Sequence, residues 1–185
     1  MSRRICIFCG SHKGRDPGYA AVASEAARTL VRAGFAIAYG GGSIGLMGVV
    51  ADAALAAGGD VVGVIPEALS RSEIAHAGLT RLHVVGSMHE RKAMMAELSD
   101  GFIALPGGFG TMDELCEILS WRQLGIHNKP IGVLDYDGYF RHLLALFDSM
   151  VNEGFLSPAH RALFVVSDRI ETLLPQMYGD DRTPL

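Results

Sequence analysis

Seven short apolar runs, many of them β-branched, recur along the chain and are separated by longer segments with helical periodicity. This alternation restricts the fold more than any other feature. The runs predict strands at Arg4–Cys9, Ala36–Tyr39, Asp60–Ile65, Arg81–Val85, Gly101–Leu105, Ile131–Leu134 and Ala162–Val166. Helices are predicted at Gly18–Ala33, Gly45–Ala57, Met88–Leu98, Thr111–Leu124, Tyr139–Glu153 and Asp168–Met177. The strands are nearly all apolar and do not alternate, as expected of parallel strands covered on both faces. Strand–helix alternation of this kind builds a single-domain, Rossmann-like α/β fold: a doubly wound, mostly parallel sheet of about seven strands with helices on both faces. No linker, charge block or repeat of roughly 20–50 residues divides the chain, so residues 1–185 read as one domain. The tail, 177–185, is expected to be frayed.

Composition removes several function classes. Hydrophobic residues make up 49% of the 185 and charged residues 19%, which supports a sizeable core and argues against disorder. A net charge of −4 disfavours non-specific nucleic-acid binding. Three cysteines, Cys6, Cys9 and Cys116, do not make a disulfide framework. Cys6 and Cys9 have CxxC spacing, but there is no second pair to complete a zinc site. Glu73 and His76, three apart, likewise lack a third ligand nearby, so no metal is expected; a lid is the better reading of that polar segment. The apolar run at the start is too short for a signal peptide, and no run approaches the roughly 18 residues of a membrane span. A soluble, cytoplasmic protein is expected.

Sheets of this class bind ligands beyond the C-terminal ends of their strands. Four loops there are unusual. Cys9-Gly10-Ser11-His12 follows the first strand, where a small residue admits a ligand and Ser11 can donate to a phosphate. Gly40-Gly41-Gly42-Ser43-Ile44-Gly45-Leu46-Met47-Gly48 follows the second; its N–H groups could cradle an anion at a helix start, or the glycines could serve close helix–sheet packing. Ser87-Met88-His89-Glu90-Arg91-Lys92 follows the fourth. Ser87-x-x-Glu90 is a capping-box pattern, and Arg91 and Lys92 then fall near the positive end of a helix, a conflict that a nearby anion would remove. Pro106-Gly107-Gly108-Phe109-Gly110-Thr111-Met112-Asp113-Glu114 follows the fifth and opens a helix, the natural place for a phosphate. Thr111-x-x-Glu114 is also a capping-box pattern, so cap and catalysis stay open for Glu114; Glu117 shares its face.

From Cys9-Gly10-Ser11 to Gly154-Phe155 the chain resembles the Lonely Guy (LOG) family of nucleoside 5′-monophosphate phosphoribohydrolases. The segments YGGGSIGLMG, VVGVIP, LHVVGSMHERKAMMAELSDGFIALPGGFGTMDELCE and WRQLGIHNKP carry the resemblance. It implies hydrolysis of the N-glycosidic bond of a purine ribonucleoside 5′-monophosphate, N6-prenyl-AMP or AMP, to free base and ribose 5-phosphate. It implies no metal or organic cofactor, and a homodimer or higher homo-oligomer with the site near the interface. The breadth of apolar positions on the Thr111–Leu124 helix (Leu115, Ile118, Leu119, Trp121) is compatible with that. The family is also labelled lysine decarboxylase, but three lysines and 185 residues give that label little support.

Carried over position by position, the family's catalytic arginine falls on Arg91 and its catalytic glutamate on Glu114. Lys92 and Gly108, Phe109, Gly110, Thr111, Met112 and Asp113 fall on nucleotide-binding positions, and Glu73 on a further ligand contact. Ser120 stands where plant-like members have threonine, His12 where many have a second serine, and Met112-Asp113 in place of Leu-Glu. Gly10, Ser11, Gly41, Gly42, Met88, Gly107 and Glu117 complete the candidate substrate contacts. A non-catalytic nucleotide or pterin-cofactor binder of the same fold is the alternative; it has no need of both Arg91 and Glu114.

Overall fold

The computed structural model describes residues 2–70 and 75–179. Its strands are β1 (Arg4–Phe8), β2 (Ala36–Tyr39), β3 (Val61–Pro66), β4 (Arg81–Val85), β5 (Gly101–Ala104), β6 (Ile131–Leu134) and β7 (Val165–Ser167). They form one sheet in the order β4-β3-β2-β1-β5-β6-β7, and every neighbouring pair is parallel. The chain runs outward from β1 to β4, then crosses back to place β5 on the other side of β1. That reversal makes the β1–β5 boundary the topological switch point, where the crevice of such a sheet opens.

The helices are α1 (Gly18–Arg32), α2 (Gly45–Ala56), α3 (Glu67–Ser70), α4 (Met88–Glu97), α5 (Phe109–Gln123), α6 (Arg141–Asn152), α7 (Pro158–Arg161) and α8 (Ile170–Tyr178). Side chains alternate faces along a strand, which explains the unbroken apolar runs. Ile5, Ile7, Ile37 and Tyr39 point into one core layer under α1, α2 and α8. Cys6, Phe8, Ala38 and Phe102 point into the other, under α4, α5 and α6. Each fully buried isoleucine there contributes about 1.5–3 kcal/mol. The same alternation separates Cys6 from Cys9: they sit in opposite layers. Among the described residues no group of three or more His, Cys, Asp or Glu could hold a metal ion. No helix of the described residues is long and apolar enough to cross a membrane.

Several boundaries differ from expectation. Two-sided coverage fails at the sheet edges, where β4 and β7 have only one neighbour and are partly exposed. The last strand starts at Val165, not Ala162, because Ser157 caps α7 by accepting from the His160 N–H at 3.1 Å. A 3-10 turn at Tyr136–Gly138 delays α6 to Arg141. Met177 and Tyr178 belong to α8 and are not frayed; the Tyr178 ring packs on Phe35, centroids 5.4 Å apart. Residues 180–185 of the tail lie outside the described residues.

The segment after α5 carries a titratable latch. His127 Nδ1 accepts from the Lys129 N–H at 3.1 Å, so the proton sits on Nε2, which donates to the Ile118 carbonyl at 3.0 Å. Burial pushes the His127 pKa down; the bond to Ile118 opposes this, and Lys129 and Arg122 add to it. The unfolded chain therefore takes up this proton first as pH falls. Stability contributed by His127 is present above its unfolded pKa of about 6.5 and declines below it. Thermal denaturation followed from about pH 7 to 5 should show this decline, and His127→Gln should flatten it.

Candidate active site

Three loops meet at the C-terminal ends of β1, β2 and β5. The Gly10 N–H donates to the Pro106 carbonyl at 3.1 Å, and the Gly10 carbonyl accepts from the Leu46 N–H at 3.0 Å. The β1 and β5 loops approach so closely that a Cβ on Gly107 would lie 2.1 Å from Thr111 Oγ1 and 2.7 Å from the Gly10 nitrogen. Only glycine permits this packing.

α5 starts at Phe109, two residues before the expected Thr111. Gly108 is the extended N-cap (φ −90°, ψ −152°) and supplies no side chain. The capping-box reading of Glu114 is thereby overturned: Thr111 is the third residue of α5 and Glu114 the sixth, too deep to reach the N-cap. Thr111 instead turns inward onto Gly107. It is 2% exposed, and its hydroxyl has no hydrogen-bond partner among the described residues. Such a hydroxyl costs about 1–3 kcal/mol until something bonds it. It sits beside the free N–H groups and positive dipole end of a 15-residue helix. That combination suits an anionic oxygen.

Arg91 reaches the same cleft from α4. Ser87 caps this helix, accepting from the Glu90 N–H at 3.2 Å, while Glu90 Oε2 accepts from the Gly86 N–H at 2.8 Å. Arg91 then points under the β2 loop: Nε donates to the Val64 carbonyl at 3.1 Å and Nη2 to the Gly40 carbonyl at 3.2 Å. Nη1 pairs with Glu114 Oε1 at 3.4 Å, and both residues are only 7% exposed. Removing one partner of a buried pair leaves an uncompensated charge, so the two depend on each other. The conflict noted for basic residues early in α4 is thus answered by carboxylates of α5. Lys92 Nζ bonds Asp113 and Glu117, each at 3.0 Å. Burial works against the Lys92 charge, but these two bonds outweigh it and hold the ammonium pKa above its ordinary value.

Of the sequence candidates, Gly10, Ser11, Arg91, Gly108, Phe109, Gly110, Thr111 and Glu114 line one cleft. Others lie outside its wall. Gly41 and Gly42 face the chain's own segment: the Gly41 carbonyl accepts from the His76 N–H at 3.1 Å and Gly42 bridges Ala75. Met88 backs the arginine, with Sδ 4.0 Å from Nη1. Gly107 supports Thr111 from behind. Lys92, Asp113 and Glu117 form the ion cluster between α4 and α5. Met112 packs against the core, and Ser120 Oγ donates to the Cys116 carbonyl on the exposed side of α5. Glu73 lies outside the described residues.

Four lining residues are not among the candidate contacts: Ile7, Cys9, Gly40 and Met47. Cys9 and Gly40 directly follow β1 and β2 and open two of the loops that the strand-end rule singles out, but only their neighbours are candidate contacts. Met47 lies in the glycine-rich run after β2, whereas Ile7 has no feature that separates it from core residues. Burial and then the Glu114 charge push the Cys9 thiol pKa up, with Arg91 opposing, so it stays protonated.

The sequence model of a family described as "Possible lysine decarboxylase" matches residues 47–177. A protein of Oryza sativa subsp. japonica named "Probable cytokinin riboside 5'-monophosphate phosphoribohydrolase LOG4" is 49% identical over 175 residues, covering 95% of this chain and 76% of that protein. An Arabidopsis thaliana protein named "Cytokinin riboside 5'-monophosphate phosphoribohydrolase LOG5" is 46% identical over 175 residues, covering 95% of this chain and 77% of that protein. Among solved structures, the molybdenum cofactor carrier protein MCP from Chlamydomonas reinhardtii superposes with a TM-score of 0.73 at 20% identity, covering 96% of this chain and 98% of that chain. At that identity the likeness shows the fold alone.

Proposed function

The chain belongs to the LOG family of phosphoribohydrolases, and on that premise we propose that it adds water across the N-glycosidic bond of a purine ribonucleoside 5′-monophosphate. The products are the free base and ribose 5-phosphate. The substrates are N6-prenylated AMP and AMP itself.

The observation that carries this reading is the buried Arg91–Glu114 pair set beside an anion cradle at the start of α5. The 5′-phosphate accepts from the first N–H groups of α5 and from Thr111 Oγ1. This seats the ribose against Glu114. As the C–N bond breaks, positive charge develops on the sugar, and the Glu114 carboxylate stabilises it and positions the attacking water. Arg91 holds that carboxylate in place and presents a fixed positive charge to the leaving base or the phosphate. A mere binder makes no use of a buried charge pair in its wall. A decarboxylase built on a lysine–cofactor bond is disfavoured as well: none of Lys13, Lys92 and Lys129 lines the cleft, and Lys129 Nζ is engaged with the Ala96 carbonyl at 2.7 Å.

We further propose that residues 1–185 act as one nucleotide-binding domain in the cytoplasm, as a homodimer or higher homo-oligomer. Leu124 and Ile126 lie exposed at the end of α5, with Leu119 and Trp121 half-buried beside them. The three free cysteines suit a reducing compartment.

The test is chromatography of free base released from AMP and from N6-isopentenyl-AMP by the purified protein without added metal. Release from either establishes the hydrolase, and the ratio of rates gives its preference. Tight nucleotide binding without release would replace it with the non-catalytic binder.

A further inference from the structure

We infer that Tyr139 is a positioning residue that holds the anion-binding start of α5 in its binding shape; the inference rests on the nucleotide-monophosphate reading above. Its hydroxyl donates to the Gly107 carbonyl at 2.6 Å, across 32 positions of sequence. From the opposite side, the Gly10 N–H donates to the Pro106 carbonyl. Two successive carbonyls of the β5–α5 loop are therefore drawn away by donors from other loops. A peptide unit is planar and trans, so its C=O and N–H point to opposite sides. Fixing the Gly107 carbonyl consequently fixes the direction of the Gly108 N–H, the first donor of the cradle. The loop cannot set this itself, since glycines supply no side chain to restrict it.

The fold delivers Tyr139 at some cost. The turn after β6 places Asp137 (φ 52°) and Gly138 (φ 66°) in the left-handed region, and Asp137 is the only non-glycine residue there among the described residues. Asp135 Oδ1 closes the turn by accepting from the Phe140 N–H at 2.7 Å. The Tyr139 ring is then held edge-on by Tyr19 and Phe140, with centroids 5.8 and 5.0 Å away. Its neighbour Tyr136 turns elsewhere, with its hydroxyl toward Asp16 at 3.5 Å.

Tyr139→Phe keeps the ring and its packing and removes one donor. The KM for AMP and the Kd for ribose 5-phosphate, measured by calorimetry, should each rise about five- to tenfold, with kcat within about twofold of wild type. Adenosine, which lacks the phosphate, should bind unchanged. Tyr136→Phe, the same deletion three residues away, should alter none of these. Wild-type protein that cleaves neither AMP nor N6-isopentenyl-AMP and does not bind ribose 5-phosphate would overturn the function itself. Wild-type protein that binds ribose 5-phosphate, beside a Tyr139→Phe variant that binds it equally well or loses adenosine to the same degree, would overturn the inference alone.

Discussion

Glu114→Gln should lower base release by at least about 10²–10³-fold while leaving nucleotide binding close to wild type, and it should lower the melting temperature because buried Arg91 loses its counter-charge. The size follows from what the substitution removes. Glutamine keeps the shape of the side chain and can still accept from Arg91 Nη1, now 3.4 Å from Glu114 Oε1. What it lacks is the negative charge that matches the charge developing on the ribose. An interaction made mainly in the transition state, when lost, lowers kcat and kcat/KM together and leaves ground-state affinity alone. Affinity separates this role from a structural one, since stability falls in either case once Arg91 loses its buried counter-charge. The measurement is steady-state base release beside a binding titration with AMP. Turnover within a few-fold of wild type would remove Glu114 from the chemistry and leave it a structural partner of Arg91.

The sheet was legible in the sequence because buried parallel strands leave unbroken apolar runs. β2, β4 and β6 fall on the expected residues, and the loops after β1, β2 and β5 do meet. What was not legible depends on contacts distant in sequence. The spacing of Thr111 and Glu114 fits a capping box equally well, and only the packing of Thr111 onto Gly107 decides that α5 begins two residues earlier. The glycines after β2 look alike as a string. In the structure Gly40 makes room for Arg91, whereas Gly41 and Gly42 pair with 75–76. Lys92, near the start of its helix, reads as a partner for an anion; in the structure Asp113 and Glu117, on the facing helix, hold its ammonium. No local pattern in the sequence encodes those partners.

Gly40→Ala should be nearly as damaging as loss of Arg91 itself, although it adds one methyl group to a residue 51 positions away. A Cβ on Gly40 would stand 2.0 Å from Arg91 Nη2, closer than real atoms approach, and a tight 3.2 Å from its Cζ. The guanidinium has nowhere to retreat without giving up something. Its Nε and Nη2 are bonded to the Val64 and Gly40 carbonyls and its Nη1 is paired with Glu114, all buried. Disrupting a buried pair costs about 3–5 kcal/mol when a charge is left uncompensated. At about 2–4 °C per kcal/mol for a chain of this size, the midpoint of thermal unfolding should fall by roughly 6–20 °C. Activity should fall by about 10²-fold or more, because Glu114 loses the partner that aims it. The clash also dictates a coupling. In an Arg91→Ala background the guanidinium is gone, and the nearest remaining atom is the flexible Met47 Sδ, 3.1 Å from the added carbon. The second substitution should then cost little, so the two changes should be strongly non-additive in both melting temperature and turnover. Additive losses in that cycle would mean that Gly40 serves the backbone of its own loop and that the close fit to Arg91 does not constrain the site.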